Sequence, residues 1–174
     1  MNPYHGEKIV KTESLAFVPA HKTLVQGILS PLAIAFGVAL PHVFHLAGLG
    51  AVFLPMFLPL VLVAMTMDLP FILLVAITTP LVSFAATGMP PQGTAVLIAF
   101  QLSFLGVCGW YFRTRIKVNY VWAIAGSVAA ERFVSFLGGL AFPSLVSSGA
   151  VVASYPGVIF LLVVSIVLMN IYDR

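Results

Sequence analysis

The sequence predicts an all-α polytopic membrane protein, a bundle of six transmembrane helices with both termini in the cytoplasm. Three observations predict it. Of the 174 residues, 61% are hydrophobic and 7% are charged, whereas a soluble domain carries about 25% charged residues. The chain is long enough for about six spans of ~20 residues joined by short loops, with no separate soluble domain. The basic residues cluster by side. Lys8, Lys11 and Lys22 precede the first apolar run, Arg113, Arg115 and Lys117 follow the fourth, and Arg174 follows the sixth. The loops at Ala47–Ala51, Gly88–Gly93 and Pro143–Tyr155 contain no Lys or Arg. Six spans place every basic cluster on one side, which the positive-inside rule makes cytoplasmic.

Each element has its own signals. Residues 1–22 are mixed and polar, without the apolar core of a cleavable signal, and read as a cytoplasmic segment. The transmembrane domain, 23–174, opens with span one at Thr23–Leu46, then span two at Val52–Met67. Span three, Leu69–Thr87, follows Asp68 as N-cap, with Pro70 tolerated in the first turn. Its short connection to span two makes the pair antiparallel neighbours. Span four is Thr94–Phe112, span five Tyr120–Phe142 and span six Pro156–Tyr172. Trp110, Tyr111, Tyr120 and Trp122 bracket the basic loop and fit an interfacial aromatic belt. Pro31, Pro41, Pro55, Pro59 and Pro80 interrupt apolar runs, and the backbone groups they free must find partners or line a cavity. Cys108, inside an apolar run, reads as a small packing residue. The net charge of +3 reflects topology rather than a nucleic-acid surface.

Few residues can carry chemistry. Glu131 and Arg132 fall near the middle of span five, where charge is costly and faces a bundle interior or cavity. Adjacent helical positions point about 100° apart, so the two are not expected to neutralise each other simply across one face. Arg132 offers a planar fork suited to a carboxylate or phosphate; the alternative is a structural arginine on backbone carbonyls. His42 and His45 share a helix face and read as hydrogen-bonding or ligand-holding residues. No metal site is expected, since further ligands are lacking. Gln101 either binds a ligand or bridges helices. In span one, Ala33 and Gly37, and Ala35 and Ala39, form small-xxx-small pairs suited to close helix packing. No paired acids, nucleophile with a neighbouring base, or nucleotide-binding motif appears. The chain therefore reads as no enzyme, with no cofactor, and any active transport needs energy from elsewhere.

The stretch LPHVFHLAGLGAVFLPMFLP (residues 40–59), then PLVSFAATGMPP ending span three, then Gln101 in span four, resemble the substrate-binding S components of energy-coupling-factor (ECF) vitamin transporters. The likeness in length, six-span layout and orientation extends from about Leu29 to Val167. Ala35 and Ala39 resemble the AxxxA pattern through which those proteins dock on a transmembrane T subunit, and Arg132 falls where many relatives carry Gly-Arg. Phe57, Gln101 and Glu131 stand where many relatives have His, an acid and Gly. The resemblance implies a bacterial inner-membrane protein that takes up a vitamin or vitamin precursor near the outer ends of helices four to six. It implies as partners a T subunit and two cytoplasmic ATPases. The substrate-binding candidates are His42, His45, Gln101, Glu131 and Arg132; the docking candidates are Ala33, Ala35, Gly37 and Ala39. Two other classes compete: a non-transporting assembly subunit that holds partners through its small-residue faces, and a membrane enzyme using Glu131 and His45.

Overall fold

The computed structural model describes residues 20–46, 48, 55–88, 90–141 and 155–172, which are helical apart from short turns. The helices are α1 (Ala20–Leu46), α2 (Phe57–Thr66), α3 (Leu69–Thr87), α4 (Gln92–Tyr111), α5 (Tyr120–Ala141) and α6 (Tyr155–Tyr172). A π-helical turn, Phe112–Ile116, extends α4 and ends at Lys117 in the left-handed conformation (φ 57°). Four segments are long and apolar enough to cross a membrane: His21–Phe44, Leu69–Thr87, Gly93–Ile116 and Tyr120–Gly138. The predicted bounds of spans one and three to six follow the helices closely, but α6, apolar over Tyr155–Ile171, is shorter than those four segments, as is α2.

Span two differs. Its helix covers Phe57–Thr66, ten residues, or about 15 Å at 1.5 Å per residue, half of a ~30 Å hydrocarbon layer. Pro55 and Met56 form a turn before it. The predicted residues 52–54 lie outside the described residues, as do Lys8, Lys11, Arg174 and most of the Pro143–Tyr155 loop.

The short helix is the centre of the bundle, and α2 packs against each of the other five helices. Phe57, Pro59, Leu60, Val61, Val63, Ala64 and Met65 are all buried. A helix apolar on every side has no surface to give to water. It is buried by Ile72, Val75 and Ala76 of α3, Leu102 and Leu105 of α4, Ile124 and Val128 of α5, and Leu161 of α6. Close approach is possible because α4 presents Gly109, where a Cβ would lie 2.9 Å from Met65 Cε and 3.2 Å from Ala64 Cβ. By contrast α1 lies at the edge. Leu24, Ile28, Leu32 and Phe36 on it are exposed, while Ala33 and Ile34 pack against the core.

Polar groups gather at one end of the bundle. Arg113, in the π turn, donates from Nη1 to the Met65 carbonyl (2.6 Å) and from Nη2 to the Met67 carbonyl (2.5 Å). It thus satisfies backbone acceptors at the C-terminal end of α2 that hydrocarbon could not solvate. Asp68 occupies the predicted N-cap position of α3 but makes no side-chain cap. Its carboxylate instead accepts from Lys22 Nζ (2.9 Å), and its N–H donates to Gln26 Oε1 (3.4 Å). Partial burial works to raise the Asp68 pKa. The Lys22 hydrogen bond and charge, with help from Gln26 and Arg113, outweigh it and hold the carboxyl below its usual value. At the beginning of α5, Tyr120 Oη donates to Asn170 Oδ1 of α6 (2.6 Å), clamping those two antiparallel helices.

Candidate functional site

Glu131 and Ser135 stand four residues apart on α5 and therefore share a face. Ser135 Oγ donates to Glu131 Oε1 (2.6 Å), and Gln101 Nε2 of α4 donates to Ser135 Oγ (2.9 Å). Gln101 thus bridges α4 and α5, as one of its two sequence readings held. The other carboxylate oxygen, Glu131 Oε2, accepts from Arg132 Nε at 2.5 Å. Adjacent positions on α5 therefore do form an ion pair, contrary to the sequence expectation. The angle between their Cα–Cβ vectors is real, but the long arginine stem curls back far enough to bring Nε onto the acid. Glu131 is 1% exposed and the Arg132 side chain 12%. A carboxylate this deep must be paired and hydrogen-bonded, and both oxygens are.

Arg132 also faces other groups. Its guanidinium carbon lies 5.2 Å from the centroid of the Phe57 ring, the first residue of α2, within cation–π range. It forms part of the wall of a cleft of about 440 Å³ between α5 and α6. The cleft is otherwise apolar and aromatic: Val128, Phe133 and Phe136 from α5, Val158 and Leu162 from α6, with Tyr155 beginning α6. Glu131 stands behind this wall. The arrangement offers a shaped apolar slot with a positioned guanidinium at its side, which is suited to binding and orienting a small molecule.

The remaining predicted residues are placed elsewhere. His42 is exposed, and its Nδ1 donates to the Val38 carbonyl of its own helix (2.7 Å). His45 belongs to the last turn of α1, and its side chain lies outside the described residues. The small residues of α1 divide. Gly37 is buried against α3, where a Cβ would come 2.7 Å from Thr79 Cγ2, and Ala33 is half-buried. Ala35 and Ala39 are exposed. The stripe is therefore two faces, one spent on internal packing and one left outward.

Phe57, Ser135, Phe133, Phe136 and Tyr155 were not picked out as site residues by sequence reasoning. Ser135 carried a usable signal, its i, i+4 spacing from Glu131. Phe57 was marked only as a departure from the resembled family, and the other aromatic residues carried no signal, because one aromatic in an apolar run looks like another.

Fold and site together define an all-helical protein of the polytopic membrane class, with a buried polar network beside an apolar cleft. Comparison with models of protein families, with curated proteins and with solved structures found no match to the chain.

Proposed function

We propose that this chain is the membrane-embedded substrate-binding subunit of an ECF-type uptake transporter in a bacterial inner membrane. It captures a small vitamin or vitamin precursor at the outer face and delivers it inward with a T subunit and two ATPases. The observation that carries this reading is the α5–α6 cleft with Arg132 in its wall, held by Glu131 and, through Ser135, tied to Gln101. Aromatic and aliphatic walls with one oriented polar group suit a small heteroaromatic molecule. The absence of any nucleotide-binding pattern in the sequence leaves energy to be supplied by partners. The six-span arrangement with cytoplasmic termini is part of the proposal and places the Arg113 end of the bundle inside.

Mass spectrometry of small molecules released from the purified protein is the test. A vitamin-like compound recovered from wild type and lost from Arg132→Ala is the expected result. A second reading, an assembly subunit without transport, is favoured by the outward face of α1 at Ala35 and Ala39. Stable, ligand-free protein copurifying with a membrane partner supports that reading instead. Replacing both alanines with Leu separates the two: under the transporter reading, partner assembly weakens while ligand binding by the isolated chain persists.

A further inference from the structure

The α5–α6 cleft presents a guanidinium that already has its counter-charge. Arg132 Nε meets Glu131 Oε2 at 2.5 Å, and the second carboxylate oxygen is held by Ser135. Glu131 therefore has no oxygen facing away from its partners, and the pair as a unit carries no net charge. Its surroundings supply no second cation among the described residues. The other cleft residues are Ala125, Val128, Ala129, Phe133, Phe136, Tyr155, Val158 and Leu162, none of them basic, and Phe57 lies across one side of the guanidinium.

This balance decides what kind of molecule can sit there. An anionic group entering the cleft would share one guanidinium with Glu131, leaving one negative charge in excess among apolar walls. Excess buried charge is strongly disfavoured. A neutral acceptor, such as an amide or ring carbonyl, takes a hydrogen bond from the guanidinium without disturbing the balance. Arginine carries its N–H donors in a fixed fork, and Arg132 itself lines the cleft.

We propose that the cleft selects an uncharged aromatic molecule bearing a carbonyl-type hydrogen-bond acceptor, and that Glu131 is the residue that excludes anions. This deepens the substrate-binding reading and rests on it. Arg132 supplies the polar contact, and the aromatic body lies against Phe133, Phe136 and Leu162. Glu131 sets specificity without touching the bound molecule.

The probes are cinnamamide and cinnamate, which match in shape and differ in charge. Each is titrated near neutral pH into wild-type protein in nanodiscs, with empty discs as the control for partitioning. The amide is expected to bind about 30-fold more tightly or better, the scale of leaving a buried charge unpaired. In Glu131→Gln the guanidinium loses its counter-charge, and the preference should move toward cinnamate. The wild-type comparison stands even if that variant folds poorly. Equal or tighter binding of cinnamate by wild type overturns the neutral-substrate assignment while leaving the cleft a binding site. Binding of neither probe also overturns it; if the purified protein releases no small molecule either, the substrate-binding reading falls with it.

Discussion

Arg113 and Arg132 stand at opposite ends of the same short helix, and they are held in opposite ways. Arg113 donates to the carbonyls of Met65 and Met67 at the C-terminal end of α2, where the helix dipole favours a cation. Arg132 lies over Phe57 at the N-terminal end, where the dipole opposes one, and is balanced by Glu131. The first arginine is spent on backbone: it donates to two carbonyls at the end of a buried helix. The second pairs through Nε with a side-chain carboxylate and also lines a cleft. The difference teaches that a cation inside the bundle does not by itself mark a functional site; a cleft beside it does.

The comparison can be broken by exchanging the roles. Arg113→Ala leaves two backbone acceptors at the core without their charge-assisted donors and is expected to cost about 3–5 kcal/mol of stability, read as a large fall in melting temperature. Arg113→Lys recovers only part, since an ammonium does not reproduce the fork. Folded Arg113→Ala should still bind cinnamamide with wild-type affinity. If it loses binding, Arg113 belongs to the site and the contrast fails.

Arg132→Ala should weaken cinnamamide binding about 30-fold, and Arg132→Lys should weaken it as well. The alanine variant also strands Glu131 and lowers the melting temperature. The double variant Arg132→Ala with Glu131→Gln sharpens the point, since it should regain stability without regaining binding. Restored binding in the double variant would make Arg132 merely structural.

Gly109→Ala perturbs the packing of α2 while leaving both arginines in place. The added methyl meets Met65 and Ala64, and an overpacked core of this kind loses about 1–3 kcal/mol. An unchanged melting temperature would show that α4 can shift away from α2 without consequence.

The smallest expected effect belongs to the Lys22–Asp68 pair, whose side chains are 48% and 33% exposed and which contributes less than about 1 kcal/mol. Because the folded-state pKa of Asp68 is lowered, its contribution is present above about pH 4, the unfolded value. It is lost as pH falls through the lower folded value. Melting temperature measured down an acid series should therefore drop less steeply for Asp68→Asn than for wild type. Parallel curves would remove the pair from the stability of this end.

Composition determined that the chain is apolar, and its long unbroken apolar runs that it is helical, because hydrocarbon offers backbone groups no partner and such runs satisfy them internally as helices. The bounds of α3, and nearly those of α5, were legible for the same reason, with Asp68 and Tyr120 marking where apolar runs begin. Arg113, read from the sequence as part of the basic loop after span four, instead continues at helical spacing the row Leu102, Leu105 and Gly109 on the inner face of α4 and is half-buried. What periodicity could not reveal was that α2 is the central helix. A run apolar on every side points nowhere in particular, and its ten-residue length appears only when its neighbours close round it. Nor could spacing reveal that Glu131 and Arg132 pair, that Ser135 and Gln101 complete the network, or that Gly37 turns inward while Ala35 and Ala39 turn out. Those depend on side-chain conformation and on which helix lies opposite, and only the packed bundle decides either.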